Sequence, residues 1–277
     1  MTEIHDHDDE GFWADLNGGI GRRGLLTLLG GATIGAAGLA VLRAAPGLAQ
    51  ANVTGTGADG STCVAIPGET GGPFPADGTN AFQGSTVNVL TETGVIRQDI
   101  RPSFAGYHGT ADGIPLQIDL QIVSVDGCAP KAGAAVYIWH CDAVGGYSIY
   151  AVTAANYLRG MQIADADGRL SFTTILPGTY EGRWPHIHFE VFDSAEAAVS
   201  GKDALLIAQI AFDGEALKAL YQADPRYADS IGPLDRVTLS SDMVFRDNTA
   251  EQIAQQTLRL AGDGNALRGA LVIPVKG

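Results

Sequence analysis

Basic side chains are scarce in this chain. It carries 17 Lys and Arg residues against 31 Asp and Glu residues, which gives a formal net charge of −14. No cluster of Lys or Arg occurs after residue 50. Surfaces that bind nucleic acids need such clusters to neutralise phosphate charge. We therefore expect no nucleic acid partner, and we interpret the acidity as a feature that favours solubility.

The chain also lacks a long, strongly apolar run. Its most apolar stretch, residues 24–42, is rich in Gly, and its length is near the lower limit for a membrane span, about 17–25 residues. Arg22-Arg23 precede this stretch and small residues follow it, a pattern typical of a twin-arginine export signal. We predict that residues 1–50 form such a signal, removed after Ala49 or Ala51, with an uncleaved anchor as the alternative. Removal would leave a periplasmic, cell-surface or secreted protein without membrane contact.

Cysteine is limited to three positions, Cys63, Cys128 and Cys141. An exported protein sits where disulfides persist, but an odd number allows at most one intramolecular bridge and leaves one thiol over. Cys128 and Cys141 flank the segment 134–140 and are one candidate pair, although the spacing does not fix the pairing. A metal-binding role for Cys141 is an alternative that we rank below a disulfide or a buried thiol, because cysteine is among the most buried residue types.

The rest of the chain shows no internal repeat, and it divides into two parts by hydrophobic pattern. Residues 51–115 are rich in Gly, Thr, Asp and Pro and predict an irregular arm packed on the core, with at most one short strand. Residues 116–277 show short apolar runs separated by Gly and Pro turns. This pattern predicts one all-β domain, a β-sandwich of mixed strands with few short helices. Strands are predicted at 116–125, 134–140, 170–176, 186–192, 205–212, 242–246, 256–260 and 269–275, and a helix at 215–222.

Two histidines one residue apart, His186 and His188, carry most of the functional information. Alternate side chains of a strand face the same way, so the two imidazoles would lie side by side. Tyr180 lies six residues upstream of His186, across a turn at 177–178, and Tyr147 lies further back. Two phenols and two imidazoles form a ligand set that suits a ferric ion better than most alternatives.

Two other classes of protein share parts of this pattern. Cupin-like metalloenzymes also use His-x-His, but they need a Glu several residues later and another His downstream. Glu190 is too near, and no His follows His188. Small transthyretin-like modules share the strand and turn pattern. That likeness concerns the fold and implies no function. Such modules have no need to hold two Tyr and two His together, and this distinguishes the alternatives.

Three segments carry a closer likeness: VYIWHCDAVGGYS at 136–148, YLRGMQIADADGRLSFTTILPGTYEGRWPHIHFEVF at 157–192 and AQIAF at 208–212. Together they resemble the intradiol ring-cleavage dioxygenases, especially the exported single-subunit relatives. The resemblance spans most of the chain after the signal. It implies that Fe(3+) is the cofactor, bound by Tyr147, Tyr180, His186 and His188.

The resemblance also assigns two further residues. The active-site arginine of the family falls on Arg183, and a glutamine that supports it falls on Gln209. In such relatives the second tyrosine, here Tyr180, leaves the metal and takes a proton from the substrate. One departure is the order Arg183-Trp184-Pro185, where the family often has Arg-Pro before the first histidine.

The implied reaction cleaves a catechol-type aromatic diol with O2 between its two hydroxyl-bearing carbons, and gives a muconate-type diacid. Catechol, protocatechuate, hydroxyquinol and larger aryl diols all fit this chemistry, so the sequence leaves the substrate open. An oligomer is compatible with the pattern. The alternative is an exported transthyretin-like sandwich that binds a partner without catalysis.

Overall fold

The structure, a computed structural model, describes residues 53–276. The predicted export signal at 1–50 lies outside the described residues. Among residues 53–276, no helix combines the length and apolarity that a membrane crossing requires. The strands are β1 Thr54–Thr56, β2 Thr62–Val64, β3 Asp77–Phe82, β4 Ser85–Asn88, β5 Pro115–Ser124, β6 Ala135–Trp139, β7 Arg159–Ile163, β8 Arg169–Ile175, β9 His186–Phe192, β10 Leu206–Phe212, β11 Thr257–Leu258, β12 Ala261–Asp263 and β13 Ala266–Val275, and the α-helices are α1 Ala195–Val199, α2 Gly214–Ala223, α3 Ala228–Arg236 and α4 Ala250–Gln256.

Two sheets form the sandwich. One has five strands in the order β11-β10-β9-β6-β7, and the other has four in the order β12-β13-β5-β8. β10 with β11 and β13 with β5 are parallel, while the other neighbours in these sheets are antiparallel. The all-β sandwich of mixed strands that the sequence predicts is therefore confirmed.

The main core lies between the two sheets. β5 alternates, and its apolar side chains such as Ile118 and Leu120 are buried there. Ile187, Phe189 and Val191 of β9 pack into the same core. Because successive side chains of a strand face opposite ways, His186 and His188 lie on the other face of the five-stranded sheet.

That other face is buried as well. Every residue of β6 and of β9 is buried. A second apolar cluster joins Tyr137 and Trp139 of β6 to Val89, Leu90 and Val95 of the N-terminal arm. The two histidines therefore occupy a covered layer between the sheet and the segments that lie over it.

The N-terminal arm has more regular structure than its sequence predicts. It contains four short strands in two hairpins, β1 with β2 and β3 with β4, where at most one strand was expected. Each of these strands has only three to six residues. Runs this short carry little periodic signal, and packing on the sandwich decides their conformation.

Two local predictions were wrong, and several elements were not predicted. Residues 242–246 were expected to form a strand but form a turn that leads into a 3-10 helix, because the Asp242 carboxylate accepts hydrogen bonds from the backbone N–H groups of Val244 and Phe245. The strand expected at 256–260 is reduced to the two residues of β11. The strands β7 and β12 and the helices α1, α3 and α4 were not predicted from the sequence.

The disulfide joins Cys63 to Cys128, and Cys141 is a buried free thiol. The candidate pair Cys128–Cys141 is thus wrong. Cys141 lies inside the layer above the five-stranded sheet, whereas Cys63 lies beside the backbone oxygen of Val125, at the end of β5. The bridge ties the hairpin β1–β2 to that end of the sandwich.

Replacing Cys63 and Cys128 together by serine is expected to lower the free energy of unfolding by about 4 kcal/mol. The bridge closes a loop with a sequence separation of 65, and this restricts the unfolded chain. Denaturant unfolding measures the loss. Reductant should destabilise the wild type and leave the double variant unchanged, while equal stability of the two proteins would refute the prediction.

Candidate metal centre

Four aromatic side chains converge on one point above the five-stranded sheet. The Tyr147 Oη atom lies 3.3 Å from His186 Nε2 and 3.1 Å from His188 Nε2. The two Nε2 atoms are 3.1 Å apart, and Tyr180 Oη lies 3.4 Å from Tyr147 Oη. The structure thus brings together all four residues that the sequence nominates as metal ligands.

The fold explains this convergence. β9 presents both histidines on one face, Tyr147 follows β6, and Tyr180 follows β8. The two tyrosine segments approach closely at Gly145, which has a positive φ of 90°. A Cβ atom at this position would lie 2.9 Å from the backbone oxygen of Thr179. Only glycine accommodates both the left-handed backbone and this approach.

Hydrogen bonding aims one histidine nitrogen at the cluster. His186 Nδ1 lies 2.6 Å from the backbone oxygen of Trp184. A carbonyl oxygen can only accept, so Nδ1 carries the proton and Nε2 presents a lone pair to the cluster. The ring of His188 stacks on Trp139 with centroids 4.9 Å apart and an interplanar angle of 3°. This stacking fixes its plane.

Burial sets the charge state of these groups. It lowers the pKa of both His186 and His188 well below the usual range, so both imidazoles are neutral near pH 7. Burial also raises the pKa of Tyr147 well above its usual value, and the nearby Tyr180 adds to this. Neutral imidazoles are the form that binds metals. Without a cation, the Tyr147 phenol stays protonated.

The donor set fits a metal ion better than it fits hydrogen bonding alone. His186 Nε2 and His188 Nε2 lie 3.1 Å apart, and His188 Nδ1 is buried without a hydrogen-bond partner among the described residues, so hydrogen bonds within the cluster leave His188 with an unsatisfied nitrogen. Ligands about 2.0–2.1 Å from a tetrahedral centre are separated by about 3.3 Å, close to the spacings seen here. Within residues 53–276 no group of three or more His, Cys, Asp and Glu could hold a metal. A metal held here would depend on the phenols.

Arg183 lies beside the cluster and is fixed from two sides. Its Nε donates to Asp242 Oδ2 at 3.1 Å, and its Nη2 donates to Gln209 Oε1 at 2.5 Å. Its Nη1 lies 3.4 Å from Tyr180 Oη. The side chains of Arg183 and Asp242 are 1% and 0% exposed. The guanidinium is therefore a buried, oriented cation at the edge of the four-ring cluster.

Sequence reasoning missed two carboxylates that support this arrangement. Asp242 accepts from Arg183 and also from the backbone N–H of Trp184, at 2.7 Å. Glu69 of the arm accepts from the backbone N–H of Gln209 at 3.0 Å. No sequence pattern identifies either residue as part of the site. Asp242 lies in a segment predicted to be a strand, and Glu69 lies in a turn-rich stretch.

Several aromatic residues near the site have structural contacts instead. Tyr150 follows Tyr147 by three residues but bonds to Asn80, away from the cluster. His140 is buried, with its ring between the backbone oxygen of Cys141 and the Thr174 hydroxyl. Trp184 donates from Nε1 to the backbone oxygen of Phe212. These groups support the layer without reaching the donor atoms.

Comparison with known proteins shows which family the chain resembles. The Dioxygenase family model matches residues 100–225, a range that contains all six predicted site residues. The intradiol ring-cleavage dioxygenase from Tetranychus urticae is 24% identical at a TM-score of 0.56, and the alignment covers 77% of this chain and 95% of that one. A second dioxygenase structure is 24% identical at a TM-score of 0.55, with coverage of 76% and 94%.

Catechol 1,2-dioxygenase from Pseudomonas arvilla C-1 is 19% identical at a TM-score of 0.44, with coverage of 76% of this chain and 62% of that one. The family match and the shared fold confirm the resemblance predicted from the sequence. The matched residues and the shared fold make the chain similar to the intradiol ring-cleavage dioxygenases, and they support an oxidoreductase of the dioxygenase class.

Proposed function

We propose that this protein is a non-haem iron(III) dioxygenase that opens a catechol-type ring between its two hydroxyl-bearing carbons. The C–C bond between these carbons breaks, one atom of O2 adds to each carbon, and a muconate-type diacid results. The observation that carries the proposal is the convergence of two phenol oxygens and two imidazole nitrogens, in which Tyr147 Oη lies 3.1–3.4 Å from each of the other three donor atoms, beside a buried arginine.

Tyr147, Tyr180, His186 and His188 would hold the iron. Bound there, a ferric ion supplies Lewis acidity that lowers the pKa of phenols and diol hydroxyls and draws electron density from the substrate. Ionisation of both tyrosines offsets two of the three positive charges, so the centre can be buried without a large uncompensated charge. The neutral histidines add donors without adding charge.

The two tyrosines differ in exposure, and this suggests different roles. Tyr147 is 3% exposed, whereas Tyr180 is half-buried and lies next to Arg183. We infer that Tyr147 stays in place and that the Tyr180 phenolate oxygen accepts a proton from an incoming diol hydroxyl. The substrate would then occupy the side of the cluster on which Tyr180 lies.

Arg183 is the group that stabilises negative charge as the diol loses its protons. Its guanidinium is held by Asp242 and Gln209 before any substrate arrives. A donor that is already oriented costs no reorganisation when charge develops, so it favours the charged transition state over the neutral substrate. Gln209 acts through Arg183 and keeps its Nη2 in place.

The function is tested with a panel of diols that includes catechol, protocatechuate, hydroxyquinol and a larger aryl diol. The protein is incubated with each diol under 18O2, and the products are identified by mass spectrometry. The proposal expects a diacid with both labelled oxygen atoms from at least one diol. A product opened beside the hydroxyl pair, or no turnover with iron bound, would contradict it.

Replacing Tyr180 by phenylalanine is expected to leave iron bound but to shift or weaken the visible colour and to lower kcat by about 100-fold or more, as loss of a general base does. The variant keeps the ring and loses only the oxygen that binds and accepts a proton. Tyr150→Phe is the matched control, because its hydroxyl bonds to Asn80 outside the cluster. An unchanged spectrum and kcat in the Tyr180 variant would refute the assignment.

We also propose that the chain is exported by the twin-arginine route, to the periplasm, the cell surface or the medium. The disulfide Cys63–Cys128 supports this, because such bonds persist in oxidising compartments. Replacing Arg22 and Arg23 by lysine should retain the protein in the cytoplasm. Unchanged fractionation of that variant would refute the route.

A further inference from the structure

Gln209 is held at more points than its contact with Arg183 requires. Its side-chain Nε2 donates to the backbone oxygen of Thr70 at 3.1 Å, while its Oε1 accepts from Arg183. Its backbone N–H donates to Glu69 Oε2 at 3.0 Å, and its backbone oxygen accepts from Gln256 Nε2 at 3.2 Å. The backbone N–H, the backbone oxygen and both polar atoms of the Gln209 side chain are thus hydrogen-bonded to residues outside β10.

Glu69 occupies the open edge of β10. Strand β11 pairs with Ala211 and Phe212, and no strand within residues 53–276 covers this edge at residues 207–209. The backbone N–H of Glu69 donates to the backbone oxygen of Ile207 at 2.7 Å, and its carboxylate binds the next N–H along that edge, that of Gln209. The arm therefore completes the sheet at the residue that contacts Arg183.

The surroundings of the Glu69 carboxylate provide hydrogen-bond donors to both of its oxygens. Oε2 accepts from Gln209, and Oε1 accepts from Asn248 Nδ2 at 2.7 Å and from Gln256 Nε2 at 3.0 Å. All three donors are neutral amides. Arg183 is a charged side chain that acts on this carboxylate, and it is itself paired with Asp242. Glu69 is a second acidic group behind the same guanidinium.

We propose that Glu69 is a positioning residue, which fixes Gln209 and thereby holds Arg183 in the orientation that the reaction needs. The inference rests on the proposed function of the site. Protonation of Glu69 would place an O–H among three N–H donors, and at least one donor would lose its acceptor. The Gln209 peptide would then be held less firmly, and Arg183 with it.

This arrangement predicts a pH dependence. Burial raises the pKa of Glu69 to about 7, even though its hydrogen bonds with Gln256, Asn248 and Gln209 oppose the shift. The carboxylate is therefore present above pH 7 and lost below it. The groups that face it from β10 and from residues 248–256 are neutral amides, so the titration belongs to Glu69 and is modulated by Arg183. We expect kcat to fall as the pH drops through 7.

The test compares Glu69→Gln with wild type in the iron-loaded full chain. We expect iron content and colour to be retained and KM to stay within about twofold of the wild-type value. The kcat at pH 8 should fall about tenfold, as it does when a group that supports a metal ligand is lost. The decline of kcat below pH 7 should disappear. Glu92→Gln, at an exposed glutamate, is the matched control and should behave as wild type. An unchanged kcat and pH profile in Glu69→Gln would overturn the proposal.

A second variant separates positioning from general loss of structure. Asn248→Ala removes one donor to the Glu69 carboxylate and one to Gln256 Oε1, but it removes no direct contact with Gln209. Since this hydrogen bond lowers the pKa of Glu69, its removal should move the decline of kcat to higher pH. A decline that stays at the wild-type pH in Asn248→Ala would overturn the assignment to Glu69, even if Glu69→Gln failed to fold.

A third measurement needs neither iron nor turnover. In the metal-free protein, the NMR signals of the Arg183 Nε–H and the Gln209 side-chain amide should shift in Glu69→Gln and stay fixed in Glu92→Gln. Unshifted signals would overturn the positioning role. If wild type cleaves no diol, the proposed function has failed, and these signals still decide whether Glu69 orients Arg183.

Discussion

Replacing His188 by alanine is expected to abolish metal binding and to lower kcat/KM for ring cleavage by more than about 100-fold. Loss of a group that only supports a metal ligand already costs about 10–100-fold, and His188 provides a donor atom at the centre of the cluster. Its Nε2 lies 3.1 Å from both His186 Nε2 and Tyr147 Oη. Metal analysis of the purified variant, with kinetics on the best diol, measures both effects.

The matched control is His108→Ala, because His108 is exposed and lies outside the cluster. It should retain the metal and the activity of wild type. Circular dichroism and thermal unfolding show whether the His188 variant keeps its fold, since its ring packs on Trp139. A folded His188→Ala protein that keeps stoichiometric metal and normal turnover would remove His188 from the ligand set.

Replacing Asp242 by alanine is expected to lower the free energy of unfolding by about 3–5 kcal/mol and to remove most of the activity. Both members of its ion pair with Arg183 are buried, with exposures of 0% and 1%. Removing the carboxylate leaves a buried guanidinium without its counter-charge and frees the backbone N–H of Trp184. Denaturant unfolding and steady-state kinetics give the two values.

An exposed ion pair provides the control for this prediction. Asp235 bonds to Lys218, and these side chains are 46% and 53% exposed. Asp235→Ala should cost less than about 1 kcal/mol, as exposed pairs usually do. The double variant Arg183→Met with Asp242→Leu should regain much of the lost stability while staying inactive. If Asp235→Ala and Asp242→Ala lowered the free energy of unfolding equally, the importance of burial for the Arg183–Asp242 pair would be contradicted.

The sequence predicted the sandwich and the candidate ligands because both depend on local pattern. Strand β9 was predicted with the bounds that the structure shows, since its run of seven residues is bounded by clear turn signals. Alternation along that run sufficed to place His186 and His188 on one face. The tyrosines were nominated as partners of the two histidines and then matched to family motifs, and the structure brings their hydroxyls within 3.4 Å of each other.

What the sequence did not predict depends on contacts between distant parts of the chain. Glu69 reaches Gln209 across 140 positions, and Asp242 reaches Arg183 across 59. A buried carboxylate has no periodic signature, so nothing in a single sequence separates these two from exposed acidic residues. The pairing of Cys63 with Cys128 is a similar case, because spacing alone allows three pairings among three cysteines.

The central claim is that two phenols and two imidazoles hold one ferric ion. Its most direct test is metal analysis of the purified protein together with its visible spectrum. We expect stoichiometric iron and a red-brown colour from phenolate-to-iron charge transfer, which is lost when Tyr147 and Tyr180 are both replaced by phenylalanine. A colourless protein fully loaded with zinc would contradict the claim.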